Sequence, residues 1–225
     1  MAISIIFIIL FVVLSAIHIA GEYLEENKQL KIRTTTKPFL LPLLLAYYII
    51  GSIESGTSIV WLIAIGLFFG FIGDVTLLKP KVPVLFMIGL GSFLIGHILY
   101  IVAFIQASNS FAGINPLVFA FIVIYVLVFV VIHKFLGDST KEMKIPVIFY
   151  MIIILTMSFC SLTLLFSSDL SLVKTPIYAF IGSLCFIASD FLLANQLFKK
   201  PFKFDQAYIM LTYLVAQLLI AQAYL

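Results

Sequence analysis

Asp74 and Asp190 are the residues of this sequence best suited to chemistry, because they alone among its ten acidic side chains lie within long apolar runs. The other eight, Glu22, Glu25, Glu26, Glu54, Asp138, Glu142, Asp169 and Asp205, fall in polar loops or at the ends of those runs. A carboxylate inside a bilayer costs about 2.5 kcal/mol or more unless it meets a partner or water, so each marks either a functional site or a structural hydrogen bond between helices. Two carboxyls sharing a low-dielectric site do not both ionise cheaply, which leaves an acid beside a carboxylate. Such a pair suits reactions that pass through an oxocarbenium-like cation. It suits peptide hydrolysis by an aspartyl dyad, or proton coupling in a transporter, equally well.

Further polar side chains lie within the apolar runs or at their ends. His97 and Tyr100 are three apart on one helical face, and His97 is the only histidine well inside an apolar run. It would sit about 21 Å from the start of its span, either as a catalytic group or as a buried histidine satisfied by a neighbour. Tyr213 and Gln217, four apart, could position substrate or water, or bond one helix to another. Asn195 follows Asp190 toward the interface and would line a headgroup entrance or simply face the headgroups. Lys37-Pro38 reads as the opening of a span: proline suits a first helical turn, whose free N–H groups and dipole would seat a phosphate beside the lysine. The alternative is an ordinary snorkelling lysine. The three histidines are widely separated and none has a partner at helical ligand spacing, so no metal is expected.

The elements that must position these residues are membrane spans. The chain has 225 residues, 64% of them hydrophobic and 10% charged, with a mean hydropathy of +1.25. No soluble core hides that much apolar surface. Apolar runs fall at roughly 2–20, 37–53, 57–78, 83–104, 115–133, 146–166, 175–197 and 206–224. The expected fold is therefore an all-α bundle of about eight transmembrane helices in a single integral membrane domain, residues 1–225. The first run lacks a basic leader and is too long for a signal peptide, so it is read as a retained span. Cys160 and Cys185 lie in apolar runs and suit packing. A net charge of +3, spread over loops, is too slight to suggest nucleic acid, and no nucleic-acid partner is expected.

Basic residues orient the bundle. Twelve of the thirteen lie in odd-numbered loops (Lys28, Lys31, Arg33, Lys37; Lys79, Lys81; Lys134, Lys141, Lys144; Lys199, Lys200, Lys203), and Lys174 alone lies in an even-numbered one. Cytoplasmic loops retain lysine and arginine, so both termini are expected outside, in a plasma-membrane protein. Asp74 would then lie about 7 Å above Lys79 and Asp190 about 13 Å above Lys199, both in the cytoplasmic half. If the third and seventh spans are neighbours, the two carboxyls can share one cavity there. A faint duplication lays the first four spans over the last four: Ile17-His18 on Ile132-His133, Lys37-Pro38 near Lys144-Ile145-Pro146, Phe71 to Asp74 on Ile187 to Asp190, and Lys79-Pro80 near Lys200-Pro201. Such a 4+4 repeat would have parallel topology.

Lys37-Pro38, Gly73-Asp74 with Leu77-Leu78, Gly89 to Tyr100 with His97, Ser189-Asp190 with Leu192-Leu193-Ala194, and Tyr213 with Ala216-Gln217 occur in an order that resembles the YhhN-type lysoplasmalogenases. The resemblance covers residues 37–220. It implies hydrolysis of the vinyl ether bond of a lysophospholipid to a fatty aldehyde and a glycerophospho-base, without an organic cofactor. It also implies catalytic roles for Asp74 and Asp190. An intramembrane aspartyl protease is a poorer match, since Phe71-Ile72-Gly73-Asp74 lacks the expected extra glycine and no Pro-Ala-Leu motif follows. A proton-coupled transporter of a small solute remains the reading without catalysis. Oligomeric state has no signature in the sequence.

Overall fold

The computed structural model of the chain describes residues 2–79, 81–108, 115–168 and 170–225. Pro80 of the expected repeat, and Asp169 among the loop acids, lie outside the described residues. Eight α-helices make up the described part: α1 (Ala2–Gly21), α2 (Glu26–Ser55), α3 (Trp61–Thr76), α4 (Pro83–Ala107), α5 (Ile122–Leu136), α6 (Lys144–Leu165), α7 (Pro176–Phe198) and α8 (Asp205–Ala223). Tight 3-10 turns over Pro116–Phe121 and Gly137–Met143 flank α5. Seven segments are long and apolar enough to cross a membrane, and α3 is a shorter apolar helix. Large apolar side chains point outward along them, among them Ile3, Ile6 and Ile9 of α1 and Val123, Leu127 and Val131 of α5. In water that surface would be untenable; in lipid it is the solvent-facing side. The protein is an integral membrane protein.

The chain divides into two compact units, residues 1–100 with 224–225, and residues 101–223, with the division inside α4. In the first unit α1 and α2 run antiparallel: the backbone N–H of Ile3 and the Ser4 hydroxyl both donate to the Glu54 carboxylate at the far end of α2. Gly56 ends α2 in the left-handed conformation (φ 67°) that glycine alone adopts cheaply. The Tyr48 hydroxyl accepts from the Val60 N–H at 3.1 Å and lies 3.4 Å from the Val60 carbonyl, which holds the start of α3 against α2. Helices α3 and α4 meet through glycines. A Cβ on Gly66 would fall 2.4 Å from the Tyr100 ring, and one on Gly73 2.7 Å from Phe93.

In the second unit Asn115 caps the first 3-10 turn by accepting from Leu117 N–H at 3.0 Å. Polar glue joins α5, α6 and α7: Tyr125 and Ser158 hydroxyls are 2.9 Å apart, and Ser183 contacts Ser158 at 2.9 Å and Ser161 at 2.8 Å. Small hydroxylated residues of this kind bring helices close and satisfy one another where no water can. Helices α7 and α8 approach closely at Gly182, whose Cβ would lie 3.0 Å from the Ala216 carbonyl oxygen. Ser189 donates to the Ile209 carbonyl at 3.1 Å further along the same pair.

Candidate functional site

Two polar clusters stand inside this apolar framework, one in each unit. The first gathers where the C-terminal ends of α1 and α3 meet the N-terminal third of α2. Asp74 is 1% exposed and its Oδ1 lies 3.3 Å from the Lys37 Nζ. Four residues before Lys37, Arg33 grips Glu22 with two nitrogens, its Nε at 2.9 Å from Oε1 and its Nη2 on Oε2. Gln29 donates to the same Oε2 at 2.6 Å. Burial would raise the Glu22 carboxyl, but the Arg33 and Gln29 hydrogen bonds and the guanidinium charge outweigh it and hold that group below its ordinary range.

His18 completes this cluster. Its Nδ1 lies 2.6 Å from the Thr36 Oγ1, whose own hydrogen goes to the Ile32 carbonyl at 2.7 Å. Thr36 must therefore accept, which puts a hydrogen on Nδ1. The His18 Nε2 is 3.9 Å from Glu22 Oε1, beyond hydrogen-bond reach.

The second cluster centres on Asp190 of α7. Tyr150 of α6 donates its hydroxyl to Asp190 Oδ2 at 2.8 Å. One turn before, Phe186 packs edge-on against Tyr213 of α8 with ring centroids 5.7 Å apart. The Gln217 amide lies 3.4 Å from the Tyr213 hydroxyl, and both side chains are buried. Asn195 Nδ2 donates to the Lys200 carbonyl at 3.1 Å, so this residue closes the turn after α7.

Each expected site residue thus has a place. Lys37 meets Asp74 in the first unit. His97, 2% exposed, and Tyr100, packed over Gly66, lie on α4 in that same unit. Asp190, Asn195, Tyr213 and Gln217 belong to the second. Among the described residues, no group of three His, Cys, Asp or Glu side chains is placed to hold a metal ion.

The reading of Lys37-Pro38 as the opening of a span is corrected. Helix α2 begins at Glu26, and Pro38 and Pro42 lie inside it. Hydropathy sees only the apolar part of a helix, while the preceding Glu-Asn-Lys-Gln-Leu-Lys-Ile-Arg stretch is rich in good helix formers and continues it outward. No helix N-terminus is available at Lys37 to seat a phosphate, and its ammonium faces a carboxylate. Sequence reasoning also passed over His18, Glu22, Arg33, Thr36 and Tyr150. The one signal for the first group was a pair of opposite charges, Glu22 and Arg33, flanking a short turn between two spans; a tyrosine inside an apolar run gave none.

Fold and site together define a polytopic membrane protein with two intramembrane aspartates, each engaged by a polar side chain from the preceding helix. Residues 32–224 match the YhhN family, and the chain belongs to it. No curated protein and no solved structure matches it.

Proposed function

We propose that this protein is a membrane-embedded hydrolase that cleaves the vinyl ether bond of lysoplasmalogens, releasing a fatty aldehyde and a glycerophospho-base. Membership of the YhhN family supports the reaction class. The observation that carries the chemistry is that the two aspartates within apolar helices are held by polar partners, Lys37 on Asp74 and Tyr150 on Asp190. An aspartate kept in an apolar helix with a dedicated partner is an acid–base group in waiting.

Hydrolysis of an enol ether begins with protonation of the outer alkene carbon. The resulting oxocarbenium ion is captured by water, and the hemiacetal then collapses to aldehyde and alcohol. One carboxylic acid supplies the proton while a carboxylate offsets the cation and takes a proton from the attacking water. Both carboxyls must reach one substrate for this to work. In the proposed orientation the lysolipid phosphate lies at the cytoplasmic surface and the vinyl ether just below it, at the depth expected for the aspartates. His97, Tyr100, Tyr213 and Gln217 are proposed to contact the substrate's glycerol and chain, and Asn195 its entrance; Lys37 acts on substrate through Asp74.

Purified protein in nanodiscs should release aldehyde from a lysoplasmalogen and not from its saturated alkyl ether analogue. Asp74→Asn and Asp190→Asn should each lower kcat by about 10²-fold or more, since asparagine neither donates an equivalent proton nor offsets a cation. Absence of aldehyde from folded wild-type protein would refute the reading and favour a transporter, to be tested by proton-driven uptake in liposomes.

A further inference from the structure

We propose that His18 is a positioning residue of the Asp74 site: by donating to Thr36 it locks the end of α1 onto the turn of α2 that presents Lys37 to Asp74. All of these residues belong to the first unit. The effect on turnover rests on the vinyl ether reading above, whereas the placement of Lys37 is read separately.

Lys37 sits where α2 holds itself least well. Pro38 follows it inside the helix, and Pro42 comes one turn later. A proline has no N–H, so position 38 gives no helical hydrogen bond to the carbonyl of Thr34, and its ring crowds that carbonyl. The same loss recurs between Pro42 and the carbonyl of Pro38. A backbone loosened at this point carries the lysine with it. Yet the Lys37 Nζ lies 3.3 Å from Asp74 Oδ1, with the two side chains 11% and 2% exposed. Something outside α2 has to hold the turn.

The last turns of α1 supply that hold. They press on α2 at Ile32, Arg33 and Thr36, which share one helical face. Gly21 permits the approach, since a Cβ there would lie 2.6 Å from the Ile32 Cγ2. Glu22 is held by Arg33, and the His18 ring, wholly buried, donates from Nδ1 to the Thr36 hydroxyl at 2.6 Å. Thr36 has given its own hydrogen to the Ile32 carbonyl, so its oxygen meets α1 as an acceptor and the bond has one direction. These contacts bracket Lys37. Thr36 is its neighbour in the chain, and Arg33, one turn earlier, is displaced from it by about 40° around the helix. The face of α2 that α1 grips therefore fixes where the flank carrying Lys37 points, which is toward α3 and Asp74.

The Lys37 amine reports on this clamp directly. An amine lodged against a buried carboxylate is hard for a membrane-permeant succinimidyl ester to reach, and one released from it is open to acylation. In the whole protein in nanodiscs, acylation of Lys37 is measured by mass spectrometry against that of Lys31, an exposed lysine of the same helix. The ratio should be low in wild type and should rise severalfold in His18→Ala and in the nearly isosteric Thr36→Val. His18→Asn, whose amide N–H takes the place of Nδ1–H, should restore protection; His18→Gln, whose amide falls near Nε2, should not. Thr36→Ser keeps the accepting oxygen and should resemble wild type. An unchanged ratio in His18→Ala and Thr36→Val overturns the proposal, and so does equal protection in the asparagine and glutamine variants, which would reduce His18 to packing. In turnover, His18→Ala and Thr36→Val should lower kcat by up to about 10²-fold with little change in KM, the effect of a displaced reacting group, and His18→Asn should recover most of the loss. Labelling as expected but no aldehyde from wild type would uphold the clamp and sink the vinyl ether reaction; aldehyde release with the labelling ratio unchanged would do the opposite.

Discussion

Arg33 and Glu22 form the one ion pair of the first cluster whose carboxyl lies outside the spanning segments, so its pH behaviour can be worked out. The Glu22 carboxyl is held below its ordinary value of 4.5 because the Arg33 and Gln29 bonds overcome the opposing effect of burial. A carboxyl lowered by folding stabilises the protein above the unfolded value, and that contribution is lost as pH falls through the folded value. Arg33→Met should destabilise the protein at neutral pH by a few kcal/mol, toward the lower end of the roughly 3–5 kcal/mol typical of a broken buried pair, because Arg33 is partly exposed. The gap to wild type should narrow on acidification below that ordinary value, as seen in denaturation midpoints in detergent. A gap independent of pH would mean that Arg33 acts by packing alone. Asp74 and Asp190 were legible without coordinates, since a charge in an apolar run shows itself. Their partners were not: Lys37 and Asp74 are brought together only by the antiparallel packing of α2 on α3, and Tyr150 resembles any other aromatic of an apolar helix.

Among the helices, hydropathy located all eight but misplaced two boundaries, each for a local reason. Helix α2 extends eleven residues before Lys37 because its polar first turns favour helix as much as its apolar body does. Within those turns Thr34, Thr35 and Thr36 return their hydroxyls to the carbonyls of Leu30, Lys31 and Ile32. Helix α3 starts at Trp61, short of the run that begins near residue 57, because the Tyr48 hydroxyl occupies the Val60 N–H and holds that stretch extended. Gly66 of α3 had no sequence reading, and its reason is contact: the fully buried Tyr100 ring lies where a Gly66 side chain would go. Gly66→Ala should therefore cost about 1–3 kcal/mol by overpacking, while Gly91→Ala, whose Cβ would meet nothing within 4 Å, should be nearly neutral. Thermal unfolding of the two variants side by side checks this, and equal midpoints would show that Tyr100 yields easily.

At the level of the whole molecule the question is on which side the termini lie. Although α3 is shorter than the other apolar helices, its contacts carry it along α2: its start is tied to Tyr48 and its Asp74 to Lys37, eleven residues apart on that helix. That separation corresponds to about 16 Å of helix axis, so α3 runs lengthwise against α2. Counting α3 as an eighth crossing beside the seven segments long enough to span a membrane predicts an even number, with both termini on one side. The same order recurs in the second unit, where the second of its four helices, α6, again supplies the partner for the aspartate of the third, α7. Twelve of the thirteen basic residues fall in the odd-numbered loops of the sequence reading, with Arg33 and Lys37 inside the helix that extends from the first of them, and the retention of lysine and arginine predicts that this side faces the cytoplasm. A periplasm- or exterior-dependent reporter fused after Leu225 should therefore be active, and one that works only in the cytoplasm should be silent. Cysteines introduced at Lys31 and Lys203 should react with impermeant reagents only after the membrane is opened. The reverse pattern would invert the protein and place the proposed lysolipid cleavage in the outer leaflet, so a vinyl ether substrate would have to be supplied from outside the cell instead of from cytoplasmic lipid turnover.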